Sequence, residues 1–146
     1  MAEIFRWGII GPGRIAEKFA KDLQAVRIAE LYGVASRSGS RSLAEKFHAQ
    51  AFFRSYEELA ADPAVDGVYI ATPHPFHAEA AEVCLQAGKP ILVEKPLTVN
   101  AAEAETLVAL ARENGTFLME ALWTRFLPVY QQVRCWLDDG LIGEVR

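Results

Sequence analysis

Gly11-Pro12-Gly13-Arg14-Ile15-Ala16 is a G-x-G-x-x-A string set directly after a short apolar run and directly before a segment with helical spacing. Gly11 allows a tight turn, Gly13 lets a ligand come close to the backbone, and Ala16 permits close packing of a helix on a sheet. The first N–H groups of a helix lack partners within it, so they make a ready phosphate site. In this strand–turn–helix setting the string points to a dinucleotide pyrophosphate rather than to a plain glycine turn. Gly11, Pro12, Gly13, Arg14 and Ile15 are the candidate contacts.

About 20 residues farther on, an NAD-binding fold places an acid for the ribose 2′-hydroxyl. Here the residues are Ser36-Arg37-Ser38-Gly39-Ser40-Arg41, and no acid stands between Leu31 and Leu43. Guanidinium pairs with phosphate through two charge-assisted bonds, so Ser36, Arg37 and Arg41 favour NADP over NAD. A solvated polar loop accounts for the serines and glycine but not for the missing acid.

Thr72-Pro73-His74-Pro75-Phe76-His77 also follows a strand, and ligands in open α/β sheets sit at strand carboxyl ends, which makes Thr72 and Pro73 candidates. The two histidines have no third ligand grouped with them, so metal binding is the minor reading and no metal site is assigned. His77, at the start of a helix, fits either the site or a structural hydrogen-bonding role. Glu94-Lys95-Pro96 sets a lysine at a strand's carboxyl end, a poor place for a solvated surface role. A partly desolvated lysine can move a substrate proton, while an exposed one paired with Glu94 would be structural, and spacing does not choose between the two.

These residues need a scaffold that brings strand ends together. Phe5 to Ile10, Leu31 to Ala35, Ala51 to Phe53, Gly67 to Ala71, Ile91 to Glu94 and Phe117 to Glu120 read as strands. Ile15, Phe19, Leu23 and Val26 recur at helical spacing after the glycine turn. Further helices are expected over 40–49, 56–61, 76–87 (stopped by Gly88) and from Asn100, an N-cap with Glu103 three residues on, to a close at Gly115. That last helix turns Leu107, Leu110 and Ala111 inward. A final helix from Arg125 to Asp139 sets Phe126, Tyr130, Val133 and Leu137 on one face and ends at Gly140. Strands alternating with helices over short connections imply an α/β, doubly wound parallel sheet. Residues 1–140 read as one domain, and Leu141 to Arg146 as a turn leading into the first strand of another, cut short.

Composition supports a folded domain: 146 residues, 51% hydrophobic and 23% charged. With 15 basic against 19 acidic residues, net −4, and scattered arginines, there is no broad basic face for nucleic acid. No stretch approaches the roughly 18 apolar residues of a membrane span, and the opening MAEIFRWGII is unlike a secretory leader. The two cysteines, Cys84 and Cys135, lie in apolar stretches without C-x-x-C spacing and read as reduced core thiols, which predicts a cytoplasmic setting.

Taken together, Gly11 to Ala16, Ala71-Thr72-Pro73 through His77, Glu94-Lys95-Pro96 and Gly140-Leu141-Ile142-Gly143-Glu144-Val145 resemble the glucose–fructose oxidoreductase, inositol dehydrogenase and MocA family, in order and spacing across the whole chain. Met119-Glu120-Ala121-Leu122-Trp123-Thr124-Arg125-Phe126-Leu127-Pro128 is similar to the branch of dimeric dihydrodiol dehydrogenases and NADP-dependent D-xylose dehydrogenases. The resemblance implies an N-terminal Rossmann domain and an absent second α/β domain that supplies substrate contacts, a further acid–base residue and often a dimer interface. It implies that Lys95 is catalytic, that Glu94 flanks the nicotinamide or its ribose, and that Trp123 and Arg125 contact the cofactor, with core packing the other reading for Trp123 and Phe126. The expected activity is hydride transfer between NADP and a sugar such as D-xylose, or a cyclic trans-diol.

Two rivals share the glycine turn. A short-chain dehydrogenase needs Tyr-x-x-x-Lys, and the four tyrosines are followed at that spacing by Ser36, Ala60, Pro73 and Arg134. A methyltransferase prefers the acid that is missing after the second strand. A non-catalytic NADP-binding or sensor module is the alternative from another class, and it leaves Lys95 structural.

Overall fold

A computed structural model describes residues 4–39 and 41–144. The apolar runs form strands β1 (Phe5–Ile10), β2 (Ala29–Ala35), β3 (Ala51–Phe53), β4 (Gly67–Ile70), β5 (Ile91–Val93) and β6 (Leu118–Glu120). They pair in parallel in the order β3-β2-β1-β4-β5-β6. The order reverses between β1 and β4, which is where a doubly wound sheet opens a crevice.

Side chains alternate across each strand, so neighbours enter different cores. Ile10, Val68, Ile70, Ile91 and Val93 face one side, covered by α3 (Tyr56–Ala61), α4 (His77–Gln86) and α5 (Ala101–Glu113) through Leu59, Ala81, Leu85 and Leu107. Ile9, Val34 and Tyr69 face the other, against Ala16 and Ala20 of α1 (Arg14–Leu23) and Leu43 of α2 (Ser42–Lys46). Asn100 caps α5 as its type predicts, its side chain accepting from the Glu103 N–H at 2.9 Å and donating to the Glu103 carboxylate at 2.8 Å. Leu107 and Ala111 of that helix are buried and Leu110 packs at the edge of the core.

Several expectations are corrected. The inward face of α1 is Ala16, Ala20 and Leu23, whereas Ile15 is exposed and Val26 lies beyond the helix end. Small residues let this helix lie close to the sheet, and a pattern read from large side chains alone misplaces its face. The helix expected over 40–49 is only Ser42–Lys46, ended by His48 at φ 54°; position 40 lies outside the described residues. The helix expected from Phe76 begins one residue later, after a 3-10 turn at His74–Phe76.

The last helix departs furthest from expectation. Trp123–Phe126 form a 3-10 turn, Leu127 is extended at φ −72°, ψ 135°, and α6 is Pro128–Asp138. A residue before proline is pushed out of the helical region, and proline suits the first helical position, so Pro128 starts a new helix instead of continuing one from Arg125. The face carrying Phe126, Tyr130, Val133 and Leu137 is exposed throughout, so the packing read for Phe126 is not formed. Cys135 is likewise exposed, which corrects the core-thiol reading for that residue; Cys84 is buried as expected. Residues 141–144 make a turn, and the strand expected at Val145-Arg146 lies outside the described residues. Among the described residues no helix is long and apolar enough to cross a membrane.

Candidate functional site

The carboxyl ends of β1, β2 and β4 converge on the glycine turn. Gly11 has φ 91°, and a Cβ there would meet the Thr72 backbone N at 2.7 Å and the Ala71 carbonyl carbon at 2.8 Å, so only glycine lets the turn sit against the loop after β4. Gly13 is the N-cap of α1 without a side-chain capping bond, and nothing lies within 4 Å of where its Cβ would be. The first-turn N–H groups therefore face open space at the positive end of the helix dipole. Thr72 is buried, yet its Oγ1 has no hydrogen-bond partner among the described residues. A buried hydroxyl left unmatched costs free energy unless a ligand or water meets it, and this one borders a pocket of about 170 Å³ lined by Gly11, Pro12, Ser36, Arg37 and Pro73. An orphaned hydroxyl beside uncapped N–H groups suits a phosphorylated dinucleotide.

At the end of β2, Ser36 is buried with its Oγ 2.9 Å from that of Ser38. Arg37 is half-exposed: its Nη1 donates to both oxygens of Glu79, at 3.0 and 3.1 Å, while its Cζ lies 4.8 Å from the centre of the Tyr56 ring and 4.7 Å from that of Phe76. Arg41 Cζ lies 4.8 Å from the Phe52 ring. Both arginines thus rest on aromatic faces at the rim. The sequence reading missed Glu79, because an acid in the first turn of a helix is ordinary dipole complementation.

His77 resolves toward structure. It is fully buried, with Nδ1 2.8 Å from the Pro96 carbonyl oxygen and Nε2 2.9 Å from the Thr72 carbonyl oxygen. The ring therefore ties the loop after β4 to the loop after β5, and both nitrogens are occupied. Leu97 N–H donates to Glu120 at 2.8 Å, which fastens the second loop to β6 as well.

Glu94 follows β5 and is held by Tyr69, whose hydroxyl donates to Glu94 Oε1 at 2.5 Å, and by the Lys95 N–H, which donates to Oε2 at 3.3 Å. Burial first, then the Glu94 bond and charge, push the Tyr69 phenol well above its ordinary value, so it stays a donor. Periodicity marks Tyr69 as core, which it is, and its hydroxyl gave no sequence signal. Lys95 precedes a cis peptide to Pro96 and is exposed, which of the two environments open to it is the solvated one. Among the described residues its Nζ has no hydrogen-bond or ion-pair partner, so the pairing with Glu94 is not formed.

Glu94 and Trp123 line a largely apolar groove of about 560 Å³ with Ile15, Phe19, Tyr69 and Phe126. Arg125 is not brought there; it lines a separate concavity with Tyr130 and Arg134. Arg14, exposed at the start of α1, stands over the turn, and Pro12 and Pro73 form walls of the smaller pocket.

Residues 5–122 match the model of the GFO_IDH_MocA family, an oxidoreductase family with an NAD-binding Rossmann fold. The chain is 47% identical to trans-1,2-dihydrobenzene-1,2-diol dehydrogenase of Mus musculus over 97% of its own length and 44% of that protein's. Among solved structures, KijD10, a 3-ketoreductase from Actinomadura kijaniata in complex with NADP and TDP-benzene, superposes with a TM-score of 0.86 at 38% identity, covering 99% of this chain and 45% of that one. Apo scyllo-inositol dehydrogenase from Lactobacillus casei has a TM-score of 0.88 at 21% identity, over 99% of this chain and 44% of that one, a likeness of fold. The chain spans less than half the length of these relatives.

Proposed function

Since the chain belongs to the GFO/IDH/MocA oxidoreductase family with its NAD-binding Rossmann fold, we propose that it forms the cofactor-binding half of an NADP-dependent dehydrogenase acting on the CH–OH group of a sugar, such as an aldose, or of a cyclic trans-diol. The observation that carries this reading is the buried, unpartnered Thr72 Oγ1 beside the uncapped N-terminus of α1 at the strand ends. The dihydrodiol dehydrogenase likeness supports the diol, and KijD10's bound NADP supports the cofactor. The aldose rests on the Trp123-Thr124-Arg125-Phe126 string alone.

The nicotinamide supplies hydride acceptance from a carbinol carbon, or its reverse. The N–H groups of Arg14 and Ile15 would hold the pyrophosphate and the Thr72 hydroxyl would donate to it or to a ribose. Ser36, Arg37 and Arg41 would hold the 2′-phosphate. Glu94, fixed by Tyr69 and by the Lys95 N–H, offers a rigid carboxylate beside the apolar groove, where Ile15 and Trp123 offer apolar surface to a nicotinamide ring. Lys95 Nζ, with no partner of its own among the described residues, would hold and move the hydroxyl proton. A second acid–base group and any subunit contact would come from a further domain, as expected for 141–146 onward.

NADP-linked oxidation of trans-1,2-dihydrobenzene-1,2-diol and of D-xylose by the full-length protein tests the reading, and Lys95→Met should lower kcat by roughly two decades or more with little change in the NADP Kd. Tight NADP binding without turnover of either class would reduce the protein to a binding module.

A further inference from the structure

The Arg37 guanidinium is held by a partner that is itself an anion, Glu79. Both Glu79 oxygens lie on the single nitrogen Nη1, at 3.0 and 3.1 Å, so Nε and Nη2 stay available for a second acceptor. The same guanidinium rests against the Tyr56 and Phe76 rings, at 4.8 and 4.7 Å, and these rings border the small pocket together with Ser36 and Ser38. A 2′-phosphate entering that pocket carries about two negative charges and would share one guanidinium with a carboxylate.

We infer that Glu79 is a specificity-determining residue: it neutralises Arg37 and thereby weakens this chain's discrimination between 2′-phosphorylated and unphosphorylated adenine nucleotides. The inference rests on the reading of the loop after β2 as the 2′-phosphate site. Two effects of Glu79 compete, orientation of the guanidinium and cancellation of its charge. Orientation is supplied independently by the two aromatic faces, which stay in place without the carboxylate. Charge cancellation has no equal substitute: Glu79 is the one carboxylate in an ion pair with Arg37 among the described residues, and exposed Glu57, which also feels the Arg37 charge, is not within pairing distance. Cancellation therefore dominates. Its size is set by solvent: the Arg37 and Glu79 side chains are 44% and 52% exposed, so the repulsion is screened. An exposed pair of this kind changes a binding constant by roughly two- to fivefold.

Glu79→Gln is the informative change, since the amide oxygen still accepts from Nη1 while the charge is gone. The test is calorimetric titration of the full chain with adenosine 2′,5′-bisphosphate and with 5′-AMP, which differ only in the 2′-phosphate. The wild-type chain should bind the bisphosphate more tightly. Glu79→Gln should tighten it by a further factor of about two to five, leave 5′-AMP unchanged, and lose that gain at high salt. In an Arg37→Ala background the Glu79→Gln gain should vanish. An unchanged or weakened bisphosphate affinity, an equal shift for both probes, or a gain that survives Arg37→Ala would each overturn the role of Glu79. In those cases wild-type preference for the bisphosphate leaves the NADP reading standing. Equal wild-type binding of the two probes, or none, would remove the 2′-phosphate reading and the inference with it.

Discussion

His77 shows how much of this site is held by residues that do not face it. Its two ring nitrogens meet the carbonyls of Thr72 and Pro96 inside the protein, and those loops carry the orphaned hydroxyl and the lysine. His77→Ala would open a cavity between the two loops and take the ring's N–H donor from a buried carbonyl oxygen, an unmet group that costs about 1–3 kcal/mol. The expected outcome is a lower denaturation midpoint together with weaker nucleotide binding. Thr72→Val tests the other buried group here: with no protein partner to lose, the folded chain should keep its stability and bind NADP more weakly.

At the scale of elements, β1 and the loop before β4 are clamped by Arg6 and Asp66: the Arg6 N–H donates to Asp66 at 2.8 Å, and its guanidinium donates at 3.1 Å to each carboxylate oxygen. The hydrogen bonds from the Arg6 side chain hold the Asp66 carboxyl below the usual carboxylate range. A carboxylate with a depressed folded pKa stabilises fully above the unfolded value, about 3.9, and that contribution fades as pH falls through the folded value. Asp66→Asn should therefore lower stability modestly at neutral pH and flatten its loss below about pH 4, read as denaturation midpoint against pH. The contrast between α4 and α6 gives a second expectation. Burial pushes the Cys84 thiol up to about 12, whereas Cys135 stands exposed on α6. A thiol reagent at pH 8 should label one cysteine in the native chain, Cys135, and both only in denaturant.

Considered whole, the molecule gathers its candidate site at its strand ends and leaves the apolar residues of the groove and of α6 open to solvent, among them Trp123, Phe126, Val129 and Leu137. The groups proposed to face the phosphates lie within this chain, whereas on that reading holding a substrate against the nicotinamide would need walls on the far side of the groove. Such positioning reaches roughly 7–11 kcal/mol of barrier in favourable cases. The 146-residue chain by itself is expected to bind NADP and not to turn over, measured as binding by calorimetry and as NADPH formation with trans-dihydrodiol and D-xylose. Sustained turnover would show that no further domain is needed.

The parallel, doubly wound architecture and the glycine turn were legible in the residues, because short apolar runs alternating with helical segments, Gly11 and the cap at Asn100 are local instructions that any packing must obey. The absence of an acid after β2 was equally a property of the sequence. Partnerships across the chain were not: Glu79 reaches Arg37, Tyr69 fixes Glu94, and His77 joins two loops, each between residues on different elements whose spacing along the chain carries no distance information. Amphipathic spacing on α6 named an apolar face without saying what covers it, and small residues on α1 hid the face that packs. Local chemistry is written in residue order, whereas burial and pairing are set by the three-dimensional closure of the sheet and its helices, so only the tertiary structure decided them.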